Sequence, residues 1–169
     1  MSELEEFHRE KDEFFRHHLQ SPLTPAQKRK FTGLNYFPEN PELRLRVPLN
    51  SGVAHDILEM DTSTGGKQRY RRAGSITFYV EGVEAVLSLY SSDDQDELFL
   101  PFRDATSGKE SYGSGRYLEA ALSQDGMVLV DFNYAYNPYC AYSERWNCPV
   151  PPPENWLAVP INAGEKAWH

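Results

Sequence analysis

The chain is 169 residues long, a length that fits one domain with a sizeable core. Its content of 40% hydrophobic, 25% charged and 13% aromatic residues is that of a folded globular chain and argues against disorder. A net charge of −8 and a pI near 5.1 repel phosphate backbones and anionic bilayers, so neither nucleic acid nor membrane is expected as a partner.

Residues 2–20 read as a helix. Leu4, Phe7, Phe14, Phe15 and Leu19 give it an incomplete apolar stripe, and Glu3, Glu5 and Glu6 sit at the positive end of its dipole. Ser21-Pro22 ends it. The stripe can pack on the rest of the chain or supply a dimer contact, so a homo-oligomer is left open. A short second helix starts at Thr24, where Thr24-Pro25-Ala26-Gln27 combines a capping threonine, a first-turn proline and a glutamine three residues on. Phe31 and Leu34 are its inward residues. Residues 35–42 are turn-rich.

From residue 43 the period changes to two. Leu43, Leu45, Val47 and Leu49 alternate with polar residues and proline. Further strands are expected at 53–60, 67–72, 75–80, 83–90, 98–102, 117–122, 127–134 and 157–161, with a bulge at Gly74 and an acidic loop at 91–96. Residues 104–116 form a glycine-rich connection and 137–156 an irregular, aromatic, proline-rich loop. The expected fold is mainly β: an antiparallel barrel or sandwich of eight or nine strands with one or two N-terminal helices. The chain reads as a single domain over 1–169, its helical segment 1–34 packed on a β domain of 43–169. A parallel sheet is excluded by the lack of crossover helices.

Several blocks carry a family likeness: LNYFPENPELR (34–44), LPFRDATSGKESYG (100–113), YGSGRYLEAAL (112–122), DFNYAYNPYCAYSERWNCPVPPPENWL (131–157) and INAGEK (161–166). Together they resemble a bacterial and archaeal family known as domain of unknown function 1684. Ser114 departs from the family pattern, which more usually carries a third glycine there. The resemblance implies neither a catalytic assignment nor a cofactor, so function is argued from the residues.

Chemistry is densest between Asp131 and Trp156, which hold four of ten tyrosines, both cysteines, two of three tryptophans and five prolines. A twenty-residue loop without regular structure is uncommon unless it is functional or well packed. The leading expectation is a small-molecule site under this loop. Arg116 would meet an anionic group, Asp131, Asn133 and Asn137 would supply directional polar contacts, and Tyr136, Tyr139 and Tyr142 the walls. The alternatives are an acid/base hydrolase using Asp131 or Glu154, with Cys140 as a candidate nucleophile, and a protein-interaction module working through the tyrosine- and proline-rich loop.

Each element also has a plainer reading. The glycine-rich loop lacks the lysine-serine or lysine-threonine ending of a phosphate loop. It is then a wide turn, with Arg116 paired to Asp104 or Glu110. Cys140 is then a buried structural thiol, and the prolines a lid or an edge-strand guard. The Cys140–Cys148 spacing permits a loop-closing bridge, but no close pair of metal-ligating residues exists and no metal is expected. No long apolar run and no apolar leader core is present, so a cytoplasmic location is expected.

Overall fold

The computed structural model describes residues 1–52, 54–91 and 97–168. Helix α1 spans Glu3–His17, and α2 spans Pro25–Lys30. Seven strands follow among the described residues: β1 Arg44–Pro48, β2 Ile57–Asp61, β3 Lys67–Val80, β4 Val83–Ser91, β5 Glu97–Phe102, β6 Arg116–Leu122 and β7 Met127–Asp131. They form one antiparallel sheet in the order β1-β7-β6-β5-β4-β3-β2.

Both helices begin with reciprocal caps. In α1 the Ser2 hydroxyl accepts from the Glu5 amide while the Glu5 carboxylate accepts from the Ser2 amide. Thr24 and Gln27 repeat the arrangement in α2, as the TPAQ sequence requires.

Strand count and closure differ from the expectation of eight or nine strands in a barrel or sandwich. The expected strands 67–72 and 75–80 are one long strand, β3, whose register shifts between Arg72 and Gly74. A Cβ at Gly74 would lie 2.7 Å from Leu49, so glycine there admits the chain leaving β1. That chain makes two backbone hydrogen bonds between Asn50 and Ser75, of 2.8 and 3.0 Å, before β2 begins. The sheet is nevertheless open, with β1 and β2 as its edges. The expected strand 157–161 is instead an irregular tail, joined to the chain at the end of β5 by a parallel bridge between Trp156 and Arg103 and by a hydrogen bond from the Ala105 amide to the Val159 carbonyl. Of the expected strand 53–60, only 57–60 are strand; Val53 lies outside the described residues, as do residues 92–96 of the acidic loop.

Alternation decides which face is buried. In β4, Ala85, Leu87 and Leu89 turn inward while Glu84 and Val86 face out; in β7, Val128 and Val130 turn inward and Leu129 faces out. These residues meet Ile76, Phe78, Leu100, Phe102 and Phe132 in the main core. Each buried valine, leucine, isoleucine or phenylalanine among them contributes about 1.5–3 kcal/mol through removal from water.

A second core lies outside the sheet. Phe15 from α1 packs with Leu23, Phe31, Leu34 and Tyr142. The Phe15 and Tyr142 rings meet edge-on at 5.1 Å. Helix α1 therefore packs on the segment that follows β7. No helix among the described residues is long and apolar enough to cross a membrane.

Candidate functional site

Two strand pairs part before their ends, and the 131–156 segment fills the openings. Strands β6 and β7 pair only at Ala121–Leu129 and Leu122–Val128. The chain then leaves β7 in a single helical turn over Phe132–Tyr134, capped by Asp131, whose carboxylate accepts from the Asn133 amide at 3.0 Å. The turn ends the expected alternation beyond Asp131. Tyr136 then takes up the free edge of β6, trading backbone hydrogen bonds of 2.8 and 2.9 Å with Tyr117. Likewise β4 and β5 pair only at Tyr90–Phe99 and Ser91–Leu98. There the buried Asn155 amide bridges the gap, accepting from the Ser88 amide at 2.8 Å and donating to the Ser88 and Pro101 carbonyls at 2.8 and 2.7 Å. The sequence reading did not single out Asn155; its position in a proline-rich turn gave no periodic signal.

Arg116 lies at the centre of this architecture. Its Nη1 donates to the carbonyls of Ala163 (2.5 Å) and Glu165 (3.1 Å), and its Nη2 to that of Ile161 (2.9 Å). Asp104 sits 3.5 Å away, and the two side chains are 1% and 0% exposed. Burial holds the Arg116 pKa below the usual arginine value, against the pull of Asp104. Asp104 also accepts from Thr106, Ser107 and the Ile161 amide. The guanidinium expected to meet an anionic ligand thus holds the C-terminal tail, in the Arg116–Asp104 pairing of the plainer reading. Gly115, at φ +106, permits this approach: a Cβ there would lie 2.5 Å from the Phe102 carbonyl.

The remaining nominated residues divide into four groups. Asp131 pairs with Arg44 at 3.1 Å on the neighbouring strand, not with Arg116. Asn133 uses both ends of its amide on the Asn40 backbone, at 2.8 and 2.9 Å. Glu154 accepts from Nε and Nη2 of Arg72 and from Ser88. Burial pushes the Glu154 carboxyl up, but the Arg72 and Ser88 hydrogen bonds and the guanidinium charge outweigh it and hold it below the usual glutamate value. Asp131 and Glu154 have no partner in common, so the two acids do not form a pair.

Asn137 and Tyr142 belong to a buried polar knot around Glu165, which the sequence reading also did not nominate. The Glu165 carboxylate accepts from the Asn137 amide at 2.9 Å and the Tyr142 hydroxyl at 3.2 Å, and forms an ion pair with Lys11 of α1. Asn137 donates to the Lys166 carbonyl at 3.0 Å, while its side-chain oxygen is buried without a hydrogen-bond partner among the described residues. Glu165 is the lone acid among residues 157–168, and that was the available signal for it.

Tyr136 and Tyr139 face outward from this knot. With Phe7, Phe14 and Phe15 they line a groove of about 360 Å³ between α1 and the loop. The Lys11 ammonium lies 5.0 Å from the Tyr136 ring centre and 5.6 Å from that of Phe15, and Glu10 completes the lining.

Cys140 follows Tyr139 and opens onto a different cleft. It is half-buried and Cys148 is buried; both are free thiols. The Cys140 amide points at the Cys148 sulfur at 3.4 Å, and the Tyr112 hydroxyl lies 3.7 Å from the Cys140 sulfur. Residues 148–150 run along the end of edge strand β2, with hydrogen bonds from Ser63 to the Cys148 carbonyl and from Val150 to the Asp61 carbonyl. The cysteine-proline segment thus pairs with part of that edge, as an edge-strand guard does. Among the described residues, no cluster of three or more His, Cys, Asp or Glu side chains comes together as a metal site would need.

A model for a protein family of unknown function, DUF1684, matches residues 29–166. The chain belongs to this family. A solved relative, an uncharacterized protein of Haloarcula marismortui determined by solution NMR, is 37% identical. The likeness covers 96% of this chain and 91% of that one, with a TM-score of 0.73. No curated protein matches.

Proposed function

We propose that the protein binds a small, largely apolar or aromatic, uncharged molecule in the groove between α1 and the Tyr136–Tyr139 segment. The observation that carries this reading is the lining: five aromatic side chains from two separate elements around one open space. Charge favours a neutral ligand. Arg116 is buried on the C-terminal tail, and Lys11, the cation in the groove, is already neutralised by Glu165. An anionic group, the expectation from Arg116, finds no unpaired cation among the groove's lining residues.

An acid/base enzyme would need two titratable groups converging in one cleft. Asp131, Glu154 and Cys140 have separate surroundings, so the binding reading has the better support.

Native mass spectrometry of the purified protein, followed by thermal-shift screening of neutral aromatic and aliphatic compounds, tests the proposal. Phe14→Glu and Tyr139→Ala should weaken any captured ligand at least tenfold, about 1.4 kcal/mol, while leaving the fold intact. Capture unchanged by both substitutions would sink the groove as the site.

A further inference from the structure

The Cys140–Cys148 pair carries a second inference, independent of the aromatic groove. The cysteines are eight positions apart, yet the loop returns Cys148 to the backbone of Cys140. With its sulfur 3.4 Å from the Cys140 amide, the Cys148 sulfur lies within about 5 Å of the Cys140 Cα. The Cys148 backbone is clamped to Ser63 in both directions: its amide donates to the Ser63 hydroxyl at 3.0 Å and its carbonyl accepts from the Ser63 amide at 2.9 Å. Cys140 is the accessible partner. It lines a cleft of about 630 Å³ with Ser63, Tyr112, Ser114, Glu144 and Trp146.

We propose that Cys140 and Cys148 form a dithiol site that reduces hydroperoxides, with Cys140 the attacking sulfur and Cys148 the resolving one. The Tyr112 hydroxyl lies 3.7 Å from the Cys140 sulfur, within reach of donating to it. Burial, then the neighbouring thiol, raises the Tyr112 pKa, so the phenol keeps its proton and remains a donor. The Cys148 thiol, with Tyr112 and Ser63, lowers the Cys140 pKa to about 6 against the opposing effect of burial, and the same contact raises that of Cys148. The contact favours the thiolate on Cys140, the more accessible sulfur, and the thiol on Cys148. The carboxylate of Glu144 and the net charge of −8 disfavour anionic oxidants and leave neutral hydroperoxides as the substrate class.

The chemistry balances in two steps. The Cys140 thiolate attacks the outer oxygen of ROOH. An S–O bond forms, the O–O bond breaks and the alcohol leaves after taking a proton, which gives Cys140 sulfenic acid. The Cys148 sulfur then attacks the sulfenic sulfur, the S–O bond breaks, and hydroxide leaves as water with the Cys148 proton. The dithiol supplies both electrons, and small reducing thiols, two per disulfide, would restore it.

The test uses the full-length, fully reduced protein with hydrogen peroxide as probe. One equivalent should consume both thiols and lower the intact mass by two hydrogens. In Cys148→Ser, dimedone should trap a sulfenic acid at Cys140; in Cys140→Ser, the native protein should resist the peroxide. Alkylation of Cys140 should exceed that of the urea-unfolded chain only about two-fold near pH 7, because a more populated thiolate is also a weaker nucleophile, but about twenty-fold near pH 5.5. Tyr112→Phe should move the native profile toward that of the unfolded chain. Oxidation no faster than in the unfolded chain overturns the proposal, as does dimedone capture at Cys148 first, or an alkylation profile matching an ordinary thiol.

Discussion

Replacing Arg116 by methionine tests the architecture most directly. The substitution keeps a long side chain but removes every donor. The Ala163 and Glu165 carbonyls lose Arg116, and the buried Asp104 carboxylate loses its cation. Ile161 is less affected, because its carbonyl also accepts from the Ala163 amide at 2.9 Å. Removing one member of a buried ion pair costs about 3–5 kcal/mol. An orphaned buried carbonyl costs about 1–3 kcal/mol, though these costs do not add fully. The expected loss is about 4–6 kcal/mol, comparable with the whole stability of many domains. Arg116→Lys should lose less, about 2–3 kcal/mol, because an ammonium keeps the charge but lacks the fork that reaches three carbonyls.

Urea titration followed by circular dichroism measures these losses. Hydrogen exchange locates them: protection should fall first at Ala105, Leu157 and Ile161, whose amides hold the tail to the end of β5 or to Asp104. The double variant Arg116→Met/Asp104→Asn should lose about 1–3 kcal/mol less than the sum of the singles. A loss below about 1 kcal/mol for Arg116→Met would refute the structural role given to the guanidinium. Stabilisation of the wild type by phosphate that disappears in Arg116→Met would instead restore the anion-binding reading.

Asn155→Ala should cost about 2–4 kcal/mol, since it leaves the Ser88 amide and the Ser88 and Pro101 carbonyls without the amide that bridges them, and a melting curve close to wild type would count against this bridging role. Glu154→Gln addresses pH. The native Glu154 pKa lies below the ordinary glutamate value, so the unfolded chain binds more protons, and the stability Glu154 contributes is present above that ordinary value and lost as pH falls through the native pKa. The variant should be less stable at neutral pH and show a shallower acid decline in urea midpoints between about pH 5 and pH 3; an unchanged slope would dismiss the linkage.

Legibility in the sequence followed the range of the interaction. The second helix was readable because its cap is closed between Thr24 and Gln27. Strands β4 and β7 were readable because one face is buried and the other exposed. Residues 157–161 have the apolar content of a strand, but their backbone partners stop at Arg103 and Ala105, and Ile161 is held by a guanidinium and a carboxylate from residues 116 and 104. No local pattern encodes that. Asp131 broke the alternation because its carboxylate caps the next turn, a local event that period-two reading overlooks. Of the nominated site residues, Tyr136 and Tyr139 share one groove, while Asn137 and Tyr142 lie in the Glu165 knot. Composition alone did not separate these two groups, because asparagine and tyrosine serve equally as ligands and as internal hydrogen-bonding groups.

The same distinction locates where function can reside. Wherever the sheet parts, the 131–156 segment supplies a substitute for a ladder: the Tyr136 backbone beside β6, the Asn155 amide between β4 and β5. Buried polar groups committed to such work are costly to release, because each leaves a partner unsatisfied. Recruiting Arg116, Asn133 or Asn155 to a ligand would cost hydrogen bonds that now hold the fold. Side chains on the outer surface of the segment carry no such obligation. Tyr139 borders the aromatic groove, and its neighbour Cys140 opens onto the thiol cleft. The single helical turn Tyr139–Ala141 thus contributes to both spaces. Binding at either one acts on a backbone already fixed by the Glu165 knot on one side and the Ser63 clamp on the other.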